Sequence, residues 1–355
     1  MQSCFTNTTN ISMSPLSLSE IPCRLCPDPI LNAVLAWVYV ALAIIGFLSN
    51  GLALHDLWRT EMTNTVIFTI NIMASDFMLC CSLPFRVAYY LESANWKPES
   101  TLCTMAKFMT ISLFYINLYC NMCFLLWTSI NRYASVVRPK QVFLRAFKRA
   151  WVCKALCTLT WVCTVIIIIT TNLSRNIQKR TVQAAESCFD LIVNVNRHKY
   201  NSTHVLGESV FFLILVLMLT FYALLVYHLH LVKRSSLVGR AQRGSLKVRR
   251  KIAVLLLLFM VCFMPYHIQR MMLLASTAGD NCQWQEKQYR VKAGTILLAA
   301  LSCCVHPLQH LALRSRCCRP SAGTHHRNAN SLTDAGQTVA NVHINKSLHA
   351  SNTAL

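Results

Sequence analysis

Four cationic side chains interrupt otherwise apolar stretches of the sequence: Arg86, His267, Arg270 and Lys292. His267 and Arg270 are three residues apart and therefore lie on the same face of a helix. Guanidinium and ammonium groups are strong donors to carboxylate and phosphate oxygens. The pattern predicts a binding site for a small anionic ligand, with Lys107 at its rim.

The competing interpretation is that these cations extend towards lipid headgroups, or that they pair with Glu286 and Asp280.

A fifth cation, Arg132, ends the apolar stretch of "LLWTSINRYASVVRP" at residues 125–139. It either extends to the membrane surface from a helix end or is kept there for a protein partner. In "HPLQH", His306 and His310 are four residues apart, a spacing that also suits two zinc ligands on a helix. Pro307 intervenes and no glutamate adjoins His306, so we predict no metal site.

The elements that must position these residues are long apolar segments. Hydrophobic residues make up 54% of the chain and charged residues 13%, more apolar surface than a soluble core can hide. Each segment reaches the roughly 20 residues needed to cross a bilayer, and only helices satisfy their own backbone there. The sequence predicts an all-α integral membrane protein, a seven-transmembrane helix bundle with spans at 32–57, 66–91, 104–131, 151–171, 207–232, 251–275 and 291–312.

Basic residues predict the orientation of the bundle. They concentrate in the joints after the third and fifth spans and just after the seventh, whereas residues 1–31 hold only Arg24. Because basic loops stay on the cytosolic side, the amino terminus is expected outside and the carboxyl terminus in the cytosol. The net charge of +21 then marks the inner face beside membrane lipids, and we expect no nucleic-acid partner.

The glycosylation sequons and the cysteines agree with this predicted orientation. We expect an extracellular, glycosylated amino terminus (1–31), a bundle at 32–314 and a disordered cytoplasmic tail at 315–355. Glycosylation is predicted at Asn7, Asn10 and Asn201. Six cysteines fall on the oxidising side, and sequence alone does not fix their pairing. Cys317 and Cys318, beside arginines at the end of the last span, are candidates for palmitoylation.

Together with the seven spans, several motifs resemble those of class A G-protein-coupled receptors over residues 30–320. They are Asn50 in "GFLSNGLAL", Asp76 in "NIMASDFML", Asn131-Arg132-Tyr133, Trp161, and Phe263 and Pro265 in "CFMP". "FMPYHIQRMM" and "YRVKAGTILLAAL" resemble the adenine-nucleotide receptors, within a branch that also holds lipid-mediator and orphan receptors.

The resemblance implies a receptor at the plasma membrane, not an enzyme, that needs no cofactor and acts on heterotrimeric G proteins, with inhibitory ones favoured. Arrestin is a further implied partner, recruited by the tail. Tyr115 joins the four cations as a ligand contact. The outer disulfide would join Cys103 to Cys188, and Cys282 would pair with Cys23 or Cys26. The polar core would be Asn50, Asp76 and Asn121, and the switch residues would be Asn131, Arg132, Tyr133, Tyr222, Phe263, Pro265, His306, Pro307 and His310.

Two departures from the family pattern define the alternatives. Asn131 replaces the acid that usually pairs with Arg132, and His306 and His310 replace an acid or amide and a tyrosine. A protonated His306 would pair with Asp76 and take the place of the sodium ion that the family holds there. The rival function is therefore a decoy receptor that sequesters ligand or dimerises without coupling. A transporter is disfavoured because the sequence shows no detectable inverted halves.

Overall fold

The computed structural model describes residues 28–92, 96, 100–137, 142–179, 197–235, 239–275 and 282–317. All regular secondary structure in these ranges is helical. The helices are α1 (Pro29–Trp58), α2 (Asn64–Leu91), α3 (Thr101–Val137), α4 (Val142–Ala146), α5 (Ala150–Lys179), α6 (Arg197–Ser235), α7 (Gly239–Ala275), α8 (Cys282–Ala300) and α9 (Ser302–Cys317).

Within the described ranges, seven membrane spans are long and apolar enough to cross a bilayer, which confirms the predicted seven-helix bundle. Spans one to three are α1, α2 and α3; spans four to six are α5, α6 and α7; span seven is α8 followed by α9. Several helices extend past the predicted limits, α6 and α7 by the most. A helix can continue its backbone hydrogen bonds beyond the hydrocarbon layer. Hydropathy therefore indicates where the chain leaves the membrane, not where the helix ends.

Span three is the centre of the bundle. Its most apolar window is 67% buried inside the protein, against 28% for spans four and five, so α3 is surrounded by other helices. It packs against α2, α5 and α6, while α1 packs on α2, and α7 on α6 and α8. The described residues up to Gln309 belong to one compact unit, and those of α9 from His310 onward belong to a second.

Polar contacts fix the first two spans in this bundle. Asp28 caps α1 by accepting from the backbone nitrogens of Ile30 and Leu31. Asn50 Nδ2 donates to the backbone oxygen of Cys303 at 2.7 Å, which joins span one to span seven. Trp161 Nε1 donates to Asn71 Oδ1 at 2.9 Å and joins span four to span two.

Gly46 marks the closest approach between span one and its neighbours. A Cβ there would lie 2.5 Å from Cys80 Sγ, whereas a Cβ at Gly51, on the same helix, would meet nothing within 4 Å. We expect Gly46→Ala to destabilise the protein by about 1–3 kcal/mol through overpacking, and Gly51→Ala to be neutral or stabilising because alanine favours the helix. The measurement is the temperature at which half of the purified protein is no longer monodisperse, compared between the two variants. Equal midpoints would contradict the packing described here.

Candidate ligand site and polar core

Two of the four predicted cations meet in a buried cluster with a carboxylate from span five. His267 Nδ1 lies 2.9 Å from Glu208 Oε2, and Arg270 Nε lies 3.0 Å from Glu208 Oε1. His267 is fully buried, Glu208 is 5% exposed and Arg270 is 8% exposed. Glu208 therefore neutralises one positive charge at the point where the anionic ligand is expected. We call these three side chains the Glu208 cluster.

Aromatic rings surround the Glu208 cluster. The guanidinium carbon of Arg270 lies 5.6 Å from the centre of the Tyr115 ring on span three. Tyr266 Oη is 3.1 Å from Tyr115 Oη, within hydrogen-bond distance. Phe211 stacks on His267 with ring centres 3.5 Å apart. Spans three, five and six thus form an apolar wall around a charged centre, an arrangement typical of ligand sites.

The cluster leaves hydrogen-bonding groups unused. Although Arg270 Nε and Glu208 Oε1 are at ion-pair distance, the N–H is not aligned on the oxygen, and the pair does not count as a hydrogen bond. Among the described residues, Arg270 Nη1 and His267 Nε2 also have no hydrogen-bond partner. Buried polar groups are nearly always hydrogen-bonded, so the Arg270 Nη1 donor points to a ligand with an acceptor oxygen.

Gly207 lets span five approach this cluster. A Cβ at Gly207 would lie 2.5 Å from Tyr119 Oη and 3.2 Å from Arg270 Nη2. Tyr119 in turn stacks on Tyr115 with ring centres 6.3 Å apart. The absence of a side chain at position 207 therefore makes room for the phenol and the guanidinium together.

The other two predicted cations have surroundings of their own. Arg86 lies over the ring of Tyr39 on span one, 5.7 Å from its centre. Lys292 is partly buried on α8. Glu286 pairs with Arg290 at 2.8 Å and not with any of the four cations, so that competing expectation is wrong for Glu286. Asp280 lies outside the described residues.

Below this site, Asp76 is the centre of a buried polar network. Its Oδ1 accepts from Asn117 Nδ2 and from Asn121 Nδ2, each at 2.8 Å. Its Oδ2 lies 2.9 Å from His306 Nδ1. The contact expected from the sequence between His306 and Asp76 is therefore present, and it joins span two to span seven inside the bundle.

Two of the predicted switch residues are prolines inside helices. Pro265 stands inside α7 and Pro307 inside α9, and each removes a backbone donor and weakens its helix locally. Phe263 is buried and packs on Phe259, with ring centres 5.2 Å apart. Span six can therefore bend between the Glu208 cluster and its cytosolic end.

Near the carboxyl end of span three, Asn131 contacts an amide rather than a cation. Asn64 Nδ2 lies 3.4 Å from Asn131 Oδ1 and 3.1 Å from the backbone oxygen of Phe147. The Arg132 side chain makes no ion pair or hydrogen bond to another residue in the described part of the chain. Tyr133 packs on Phe221 of span five, with ring centres 5.7 Å apart. Tyr222, beside Phe221, is partly buried.

The remaining predicted residues lie on or beyond the helix ends. Cys103 is disulfide-bonded. Asn201, Cys282, His310 and Cys317 lie within α6, α8, α9 and α9. Asn7, Asn10, Cys23, Cys26, Cys188 and Cys318 lie outside the described residues. No group of three metal-binding side chains occurs in the ranges that the structure covers.

Glu208 was not predicted from the sequence, although a signal was available. It is an acid inside an apolar helix, and an ionisable residue within a membrane span is a functional candidate by default. It is the second residue of the predicted fifth span, shortly after the sequon in "NSTH". An acid at that point is easily taken for the polar end of a span.

Comparisons with known proteins agree with this architecture. The family model of the 7 transmembrane receptor (rhodopsin family) matches residues 49–309, and the chain belongs to that family. It is therefore a receptor, not an enzyme, and a multi-pass protein of the plasma membrane. Membership implies a heterotrimeric G protein as partner and a small molecule as ligand.

Relatives place the chain in the purinergic-like branch of class A. Probable G-protein coupled receptor 82 of Mus musculus is 24% identical over 295 residues, covering 78% of this chain and 89% of that protein. Cysteinyl leukotriene receptor 1 of Sus scrofa is 27% identical over 299 residues, covering 82% and 84%. Purinoceptor 14 of Bos taurus is 24% identical over 308 residues, covering 83% and 86%.

Proposed function

We propose that the chain is a receptor for a small anionic ligand that binds among spans three, five and six and signals through heterotrimeric G proteins. The observation that carries the proposal is Arg270, whose buried Nη1 has no hydrogen-bond partner among the described residues. A buried charged donor without an acceptor is costly, and an oxygen of an anionic ligand would satisfy it.

The relatives define the range of ligands that this site is proposed to accept. Their names are those of cysteinyl leukotriene receptors and of a purinoceptor. We extend that range, from lipid-like to nucleotide-like anions, to the present chain. Arg86 and Lys292 are proposed as further contacts to the ligand, Arg86 from above Tyr39 and Lys292 from span seven.

In the proposed mechanism, the ligand links span six to span three through Arg270 and Tyr115. A ligand shifts a conformational equilibrium only by its differential affinity for the two states. Contacts to Arg270 that favour one orientation of upper α7 are transmitted past Pro265 to its cytosolic end. When that end moves outward, Arg132 becomes accessible to the carboxyl-terminal helix of a G protein.

A screen of matched compounds tests this proposal. Acidic small molecules and their neutral amides or esters would be applied to cells that express the receptor, with G-protein activation as the readout and inhibitory G proteins tested first. We expect agonists among the acids and a loss of potency of at least about tenfold in the neutral analogues, because one charge-assisted hydrogen bond is worth about 1.5–3 kcal/mol. A neutral analogue of equal potency would contradict the anionic site.

A second candidate function is a receptor that binds ligand without activating a G protein, acting by sequestration or dimerisation. The observation that favours it is the direct contact of His306 with Asp76 Oδ2, because Asn117 and Asn121 already donate to Oδ1 and both oxygens of Asp76 then have protein partners. Such a network would hold spans two, three and seven in one arrangement. Ligand binding without activation of any G-protein family is the result that this candidate predicts.

A further inference from the structure

We infer that Glu208 limits the ligand of this site to a single negative charge, so that a monocarboxylate is accepted and a polyphosphate is rejected. The inference rests on the anionic site proposed above and names the class of its ligand. It comes from the charges that the structure buries together on spans five and six.

The first step is the charge of the Glu208 cluster. Arg270 contributes one positive charge and Glu208 one negative charge, with Nε and Oε1 at 3.0 Å. His267 needs only a proton on Nδ1 to donate to Glu208 Oε2, and a second proton on Nε2 would add one positive charge. The cluster therefore carries a net charge of zero or plus one, and in either state it balances no more than one negative charge.

The second step is that Glu208 cannot easily leave the cluster. It is almost fully buried and both of its oxygens lie against basic side chains of α7, one against His267 and one against Arg270. An incoming anion therefore meets a fixed carboxylate beside the donors that it needs. Like charges repel strongly in a desolvated site, and the Glu208 cluster itself leaves each further negative charge on the ligand uncompensated.

The third step is the number of donors left over. Glu208 faces the Nε side of the guanidinium, and Arg270 Nη1 has no partner among the described residues. The two N–H groups of Nη1 suit one carboxylate group, whereas a phosphate chain offers many acceptors and needs several cations. Phe211 stacks on His267 and Tyr266 lies at its edge, so the surroundings of the cluster are apolar and suit a lipid-like acid better than a polar one.

A series of probes with one hydrocarbon body and increasing charge tests the inference. Farnesol, farnesoic acid, farnesyl phosphate and farnesyl diphosphate would be titrated against the purified receptor in lipid nanodiscs, and the dissociation constants compared. For the wild type we expect farnesoic acid to bind at least about tenfold more tightly than farnesyl diphosphate, because like-charge contacts in such sites are strongly unfavourable. In Glu208→Gln, the diphosphate should gain at least about tenfold and the gap should close or reverse.

A matched control removes another acid that pairs with an arginine. Glu286→Gln breaks an exposed pair with Arg290 and should leave the order of affinities unchanged. If the Glu208–Arg270 ion pair has only a structural role, Glu208→Gln will lower the stability of the receptor but will not change its preference for the charge of the ligand. If Glu208→Gln does not fold, the wild-type series alone decides, and Glu208→Gln with Arg270→Gln should bind farnesoic acid no better than farnesol.

The outcomes separate this inference from the proposed function. Acidic probes that bind wild type with equal affinity whatever their charge, or an unchanged ratio in Glu208→Gln, would overturn the role of Glu208 but leave an anionic site. If no acidic probe binds the wild type or the variant more tightly than farnesol, the anionic site itself is wrong and the inference fails with it.

Discussion

Replacing Arg270 and Lys292 together by alanine is expected to abolish the response to any acidic agonist of this receptor. Arg270 supplies the buried guanidinium beside Tyr115, and Lys292 is the proposed second cation on span seven. Each charge-assisted hydrogen bond contributes about 1.5–3 kcal/mol, so losing two lowers affinity by roughly 100-fold or more. Concentration–response curves for G-protein activation, at matched surface density, measure the effect.

Arg290 provides the control for this double substitution. It lies on the same helix as Lys292, but its guanidinium is half exposed and pairs with Asp28 at 3.0 Å and Glu286 at 2.8 Å. Exposed ion pairs contribute little, and Arg290→Ala should respond like wild type. Because Arg270→Ala leaves Glu208 without a counter-charge, Arg270→Gln with Glu208→Gln is the variant that keeps the cluster neutral. An undiminished response in the double alanine variant would refute the proposed site.

Replacing His306 by asparagine is expected to make the receptor sensitive to sodium. In the wild type, the imidazole lies 2.9 Å from Asp76 Oδ2, and we propose that it takes the place of a sodium ion there. Asparagine would remove the ring and supply an amide oxygen as a ligand, beside Asp76 and Asn121. A bound ion stabilises by mass action, by about 1.4 kcal/mol at tenfold excess over its dissociation constant. The unfolding midpoint should then rise by about 2–4 °C in sodium chloride relative to choline chloride.

The wild type should show no such difference between the two salts. Asp76→Asn added to His306→Asn should remove the sodium effect, because the carboxylate that binds the ion is gone. A clear stabilisation of the wild type by sodium would mean that His306 does not take the place of the ion, and the polar core described here would need revision.

The seven spans were predictable because the bilayer imposes one requirement on each of them, about 20 apolar residues in a helix. Their ends were not predictable to the same accuracy. The predicted fifth span begins at residue 207, whereas α6 begins at Arg197 and continues to Ser235. Hydropathy indicates which residues lie in the hydrocarbon layer, but the residue at which a helix ends depends on its capping and on its loop contacts.

Only the span-six half of the candidate site could be predicted from the sequence. Arg270 and His267 share a helix face by spacing alone, and the sequence predicted them together. Their partner Glu208 depends on which faces of spans five and six meet, which the spacing within either helix does not determine. The contact of His306 with Asp76 was foreseen because the resemblance had already placed both positions at one site, and the structure has them at 2.9 Å.

At the carboxyl end of span three, the sequence likewise showed the residue types but not their tertiary contacts. The replacement of an acid by Asn131 was visible in the sequence, and it predicted a weaker hold on Arg132. Its actual contact is with Asn64 at the start of span two, at 3.4 Å, a tertiary contact outside the motif itself. Among the described residues, no carboxylate pairs with Arg132.

The central claim is that this receptor activates G proteins through Arg132, and basal activation tests it most directly. Wild type and Arg132→Ala would be expressed at equal, verified surface density, and activation of each G-protein family would be recorded without added ligand. Because Asn131 provides no acidic lock, we expect measurable basal activity in the wild type and its loss in Arg132→Ala. Equal activity in both, or none in the wild type at high surface density, would contradict the claim and favour the non-coupling receptor.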